Sequence, residues 1–163
     1  RRPPRSTQGV SSAASDVYKR QVLILSTQAP KSINNFITSE EWIRCDIENK
    51  IAIIDKESSE NFIPQMLNLD ILDAVSFSKG CYTGQEVVAR VQHRGKIKQR
   101  MFKFKTENKN LITHGSEIHH ESKKVGTVVI SELIDNNSIG LAVINSADNE
   151  SQLNIGDINI KLL

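Results

Sequence analysis

The chain has 163 residues, 21 of them Lys or Arg and 19 Asp or Glu, for a formal net charge of +2. Its 38% apolar content is enough for a core, and no apolar run approaches the roughly 20 residues of a membrane-spanning helix, which excludes that class. One domain or two small ones are expected, and two cysteines without an apolar leader point to free thiols in a reducing, cytoplasmic setting.

Residues 1–21, "RRPPRSTQGVSSAASDVYKRQ", read unlike the rest. Their apolar side chains, Val10, Ala13, Ala14, Val17 and Tyr18, follow no period, and there is no h-region of a secretory signal. The stretch "SSAASDVYKRQ" resembles a translated adapter tail, so the segment is expected to be a disordered leader outside the fold. It also holds the basic excess. Arg1, Arg2, Arg5, Lys19 and Arg20 against Asp16 give +4, which leaves −2 for residues 22–163 of the total of +2. The basic balance therefore gives no support to nucleic-acid binding by the body of the protein.

"VLIL" at 22–25 predicts a strand, and "KSINNFITSEEWIRCDIENK" predicts a helix in two pieces. Thr38 and Glu41 have capping-box spacing, with Ile43 and Ile47 one turn apart beside Trp42. Asn49 is expected to end the helix in the left-handed conformation. "IAIID" at 51–55 predicts a second strand. "NFIPQMLNLDILDAVSF" is apolar but broken by Pro64, which predicts an extended, irregular run.

"SFSKGCYTGQEVVARVQHRG" follows at 76–95. Thr83 and Glu86 repeat the capping-box spacing, predicting a helix from Gly84 to about Gln92. Val87, Val88 and Val91 would form its buried stripe, with Arg90 and Arg94 facing elsewhere. Cys81 sits just before that helix start, and Lys79 lies two residues earlier; both the helix dipole and the lysine favour a thiolate. Gly80 and Gly84 would let the backbone turn sharply or approach a ligand closely. Two readings stay open from the residues alone: an activated thiol beside a cation, or a buried cysteine under a helix cap.

Residues 90–105, "RVQHRGKIKQRMFKFK", hold seven Lys or Arg and no acid. Such a strip can hold an anion, or be a solvated helix end running into an alternating strand. Beyond Gly95, "KQRMFKFKT", "SEIHH", "KVGTVVISELI", "SIGLAVINS" and "GDINIKLL" are short apolar runs separated by Gly, Asn, Asp or Ser. That predicts a small antiparallel barrel or sandwich. No metal site is expected: His93 is alone, His114 stands apart, and His119 and His120 would point to opposite faces of a strand. Two cysteines cannot supply the thiolates of an iron–sulfur cluster within one chain.

"KGCYTGQE" resembles, residue for residue, the signature of the folate-binding YgfZ family, relatives of the glycine-cleavage T-protein. The likeness extends over residues 42–95, on the framework "FIPQ", "NL", "SF", "KGCYTGQE", "AR" and "RG". "VGTVVIS" and "GLAVIN" look like the family's terminal barrel, and residues 51–55 fit its "PVID"-like segment. At Asn49-Lys50 the chain departs from the glycine that usually ends the preceding helix in the family.

The resemblance implies an α+β fold: the leader 1–21, then 22–95 as part of a T-protein-like mixed α/β domain, then 96–163 as an antiparallel β-barrel. It implies a C-terminal piece of a longer, three-domain protein arranged around a folate channel, with the tetrahydrofolate pocket incomplete in this piece. The implied role is support of iron–sulfur cluster assembly or repair, and through it tRNA methylthiolation, rather than classical enzyme catalysis. By position in the motif, Cys81 and Lys79 are the functional pair. Gly80, Tyr82, Thr83, Gly84, Gln85 and Glu86 complete the cofactor-side signature, and Arg90 and Arg94 from the basic strip are expected to meet the glutamate tail of a folate or a client's acidic face. Expected partners are iron–sulfur client or assembly proteins, with the protein monomeric, off the membrane and not bound directly to nucleic acid. Two alternatives remain. One is a folate-dependent aminomethyltransferase of the T-protein type, a class that lacks the cysteine signature. The other is an RNA-binding module using residues 90–105, where Phe102 and Phe104 are the main interleaved aromatics.

Overall fold

The computed structural model describes residues 10–16, 19–25, 37–78, 80, 82–107, 109, 111–148 and 152–163. The chain divides into two compact units, 1–37 and 38–163. In the first, β1 (Val10–Asp16) and β2 (Lys19–Leu25) pair antiparallel from Val10–Leu25 to Asp16–Lys19. The strand expected at 22–25 is therefore present. The expectation of a disordered leader is corrected over 10–16 and 19–21, because the backbone N–H and C=O groups of an apolar strand need a ladder partner and take it from this stretch.

In the second unit, α1 (Ser39–Glu48) begins at the expected capping box. The Glu41 N–H donates to Thr38 Oγ1 at 3.1 Å, and the Thr38 N–H donates to Glu41 Oε2 at 2.7 Å. Two orphan donors at the helix start are thus satisfied reciprocally. Ile47 is fully buried, and Lys103 reaches Glu48 at 2.9 Å. Burying an isoleucine contributes about 1.5–3 kcal/mol, whereas a half-exposed ion pair contributes about 0–1 kcal/mol, so Ile47 is what seats the helix. Asn49 does not take the left-handed conformation: its φ is −88°, and Lys50, at φ 56°, makes the turn. Asn49 caps through its side chain instead, donating from Nδ2 to the Cys45 carbonyl at 2.7 Å.

Residues 51–55 are in no ladder, which corrects the predicted strand. The Ile51 N–H folds back to the Asp46 carbonyl at 2.8 Å, and Asp55 opens a turn with Ser58, so the segment is committed at both ends. Pro64–Leu67 is one turn of 3₁₀ helix rather than extended chain, with the proline at the first position, where its missing N–H is no loss. α2 (Gln85–Arg94) follows. Within 38–95 the described residues contain helices and no strand, so the mixed α/β reading of 22–95 is corrected there to a helical layer.

The alternating runs after Gly95 form the expected antiparallel barrel. β3 (Gln99–Thr106), β4 (Glu117–His120), β5 (Lys123–Ile134), β6 (Asn137–Asn145), β7 (Leu153–Ile155) and β8 (Ile158–Leu162) close in the order β3-β6-β5-β4-β7-β8. The seam is short: Phe104 pairs with Leu162 and Lys105 with Lys161. Phe104, Ile118, Val125, Val128, Ala142, Ile144, Leu153 and Ile160 make one core. Met101, Val129, Ile130, Leu141 and Val143 make a second, with Ile47 and Leu67 of the helical layer. Strand β6 is thus covered on both faces, which is why "LAVI" at 141–144 is continuously apolar rather than alternating. Residues 38–163 form one compact unit across the boundary expected near Gly95.

Gly140 sits where β6 backs onto the Phe104 ring. A Cβ there would meet the Ile130 carbonyl and, at 2.7 Å, the ring itself. Gly140→Ala is expected to lower stability by about 1–3 kcal/mol through overpacking. A urea titration of the purified chain measures this, and an unchanged midpoint would contradict the packing described.

Candidate functional site

The signature runs into α2 through a backbone turn that Gly84 makes possible. Its φ of 86° lies in the left-handed region, where a side chain would be strained. Gly84 is the N-cap and has no side-chain cap bond, so Thr83 is not the cap and the expected Thr83–Glu86 box is absent. Glu86 instead pairs with Arg90 one turn on, at 2.6 Å. The closing bonds are one residue away from those expected: the Tyr82 N–H donates to Gln85 Oε1 at 3.3 Å, and the Gln85 N–H to the Tyr82 carbonyl at 3.2 Å. The predicted stripe is also narrower. Val88 is buried and Val91 half-buried, while Val87 faces outward.

Lys79 and Cys81 lie outside the described residues, as does the side chain of Arg94. Gly80, Tyr82 and Thr83 are exposed on the approach to the helix. Gln85, Glu86, Ala89, Arg90 and His93 line an open concavity of about 480 Å³ on the outer face of α2. His93 stacks edge-on against Phe77, with ring centres 5.8 Å apart. Three of the cofactor-side residues, Gln85, Glu86 and Arg90, are therefore brought together on one helix face.

The basic strip is divided rather than continuous. Arg90 is held by Glu86, Lys103 by Glu48, and Arg100 by a two-pronged pair with Asp70 at 2.6 and 2.9 Å. Arg100 holds the Asp70 carboxyl below its usual range, chiefly through those hydrogen bonds, and Lys103 does the same for Glu48. Three of the strip's seven cations are thereby tied to carboxylates, and for two of them, Arg100 and Lys103, the carboxylate is distant in sequence, so that no sequence spacing shows the pairing.

Sequence reasoning missed a second polar cluster. Asp55 Oδ1 accepts from the Ser58 hydroxyl at 2.6 Å and from the Ser58 N–H at 2.8 Å, while His114 Nδ1 sits on Asp55 Oδ2. The Asp-x-x-Ser spacing signals the turn; nothing in the sequence signals His114. The Ser58 hydroxyl is directed to the carboxylate and not to the imidazole, so the three are not arranged as nucleophile, base and orienter. The cluster fastens the 51–62 segment to the barrel. Among the described residues no group of three or more His, Cys, Asp or Glu side chains could hold a metal ion, and no helix is long and apolar enough to cross a membrane.

A six-stranded antiparallel barrel faced by a helical layer, with a glycine-turned signature feeding the layer's last helix, defines the class of this protein. The chain belongs to the YgfZ family. It is 36% identical over 138 residues to the tRNA-modifying protein YgfZ of Blochmanniella pennsylvanica, covering 78% of this chain and 42% of that protein. It is 33% identical over 150 residues to an uncharacterised protein of Haemophilus influenzae, covering 89% and 52%. Against the tRNA-modifying protein YgfZ of Yersinia enterocolitica it is 51% identical over 67 residues, 41% of this chain and 20% of that one. The chain spans about half the length, or less, of these relatives. No family model matches it.

The Asp55 carboxyl is lowered to about 2 by the Ser58 hydroxyl first and by His114 second. A depressed carboxyl contributes stability above its unfolded-state value near 3.8 and loses it as pH falls through the folded value near 2. The urea midpoint of the wild-type chain should therefore fall between about pH 4 and pH 2, and that of Asp55→Asn should start lower and fall less over the same window. Equal slopes for the two proteins would show that the cluster makes no such contribution.

Proposed function

We propose that this chain is the signature-and-barrel region of a tetrahydrofolate-linked protein that supports iron–sulfur cluster assembly or repair and thereby tRNA methylthiolation. The observation that carries the reading is the signature "KGCYTGQE" delivered into α2, in a family whose relatives bear the name tRNA-modifying protein. The cluster is cargo or a client's cofactor in this reading, in keeping with a chain that has only Cys45 and Cys81.

The α2 face fits one wall of a folate site. Gln85 offers an amide and Glu86 a carboxylate for the hydrogen-bonding edge of a pterin, and Arg90 offers a guanidinium for a carboxylate tail. The concavity is open, so these residues account for one wall alone. When bound, the folate would supply one-carbon chemistry; the chain's own part is to orient it and to present Cys81 beside it. Lys79 and the amino end of α2 favour the thiolate over the thiol. Partners in this reading are iron–sulfur client or assembly proteins.

In the full-length protein Cys81→Ser should fold and accumulate normally, since serine is nearly isosteric, but its hydroxyl does not ionise near neutral pH as a thiol can. A deletion strain carrying only this variant should show markedly reduced tRNA methylthiolation, and Lys79→Ala should reduce it as well. Cys45→Ser should restore it fully, because Cys45 is exposed on α1, away from the signature in sequence. Full complementation by Cys81→Ser at normal abundance would overturn the assignment.

A further inference from the structure

We propose that Gln65 is the positioning residue that sets where α2, and with it the signature, sits on the body of the protein. The proposal builds on the reading that the signature is the working part of the chain.

Helix α2 is lightly held. Val88 is its buried apolar residue, while Val87, Arg90 and the signature residues before it face outward. Among the described residues, one side-chain hydrogen bond from elsewhere in the protein reaches it: Gln65 Nε2 donates to the Val88 carbonyl at 2.7 Å. That carbonyl lies inside the helix, where it already accepts from the amide four residues on. The glutamine is therefore not needed to satisfy an orphan acceptor. What the bond adds is direction, two residues after the signature ends.

The other side of Gln65 is fixed with matching firmness. Its own carbonyl accepts from Arg100 Nη1 at 2.8 Å, and Arg100 forks onto Asp70. Asn68, left-handed at φ 59°, donates from Nδ2 to the Met101 carbonyl at 2.8 Å. Residues 65–70 are thus pinned to strand β3 at three points, and the Gln65 side chain extends that anchorage to α2. Gln65 is completely buried, and its Oε1 has no hydrogen-bond partner among the described residues. Burying an amide oxygen without a partner is unfavourable, and an apolar side chain of the same length would avoid it. A residue suited only to filling the core would be Leu or Met; a glutamine here serves through its N–H.

Hydrogen exchange on the purified 163-residue chain tests this. In Gln65→Met the amides of α2 should lose at least tenfold in protection factor, while those of β5 and β6 keep theirs. Gln65→Glu gives a readout that packing alone would not move. Its carboxylate cannot donate to the Val88 carbonyl, but the protonated acid can, and burial favours that acid. Protection of α2 in Gln65→Glu should therefore be low at pH 8 and recover toward the wild-type factor at pH 5. Unchanged α2 protection in both variants, or equal losses in α2 and β6, would overturn the proposal. In the full-length protein, Gln65→Met at normal abundance should also lower tRNA methylthiolation several-fold. Normal methylthiolation with a loosened α2 would overturn the link from Gln65 to the signature. Full complementation by Cys81→Ser, by contrast, would overturn the functional reading and leave the exchange result standing.

Discussion

The two-pronged pair between Arg100 and Asp70 makes one body of the helical layer and the barrel. Asp70 is nearly buried, and without the guanidinium its charge would be left in a poorly solvated place. An exposed ion pair is worth about 0–1 kcal/mol, but removing one partner of a buried pair costs several times that. The same arginine bonds the Gln65 carbonyl, and the next residue, Met101, both fills the outer core and accepts from Asn68. Two consecutive residues of strand β3, Arg100 and Met101, therefore fix the segment on which α2 rests. Hydrophobic burial around Ile47 and Leu67 supplies most of the adhesion, and the ionic fork supplies the register.

How much of this was legible in the sequence depends on how local each cause was. The Thr38–Glu41 box formed as read, because both partners lie within one turn. The barrel was legible because period-two alternation records which face of a strand is buried. The second box failed for an equally local reason: Gly84 took the cap position with a left-handed backbone that glycine adopts most readily, and Glu86 found Arg90 instead. "IAIID" looks like a strand, since its residues favour one, but a strand needs a neighbour, and the chain commits this segment to the end of α1 and the Asp55–Ser58 turn. Long-range pairings were not legible at all. Nothing in the sequence ties Asp70 to Arg100, Glu48 to Lys103 or Asp55 to His114.

The candidate site shows the same division. The signature was recognisable by its residues, and the structure gathers Gln85, Glu86 and Arg90 on one face. The basic strip was recognisable too, but its meaning changes once three of its seven cations are paired. A cation held by a carboxylate contributes little to the potential that would draw an anion. Sequence counts charges; the fold decides which of them remain free.

The short seam of the barrel has a consequence for how the protein is made. Phe104, in the first core, pairs with Gly140 of β6 on one side, but finds its partner on the other side only when Leu162 has been synthesised. Until then β3 is an edge, with a row of unpaired backbone groups beside an open core. The signature and α2 emerge from the ribosome well before that, on a layer whose docking surface is not yet closed. During synthesis the nascent chain therefore passes through a stage in which one edge of β3 is exposed while the signature is already outside the exit tunnel. A chaperone that shields extended apolar strands during elongation would act in that interval.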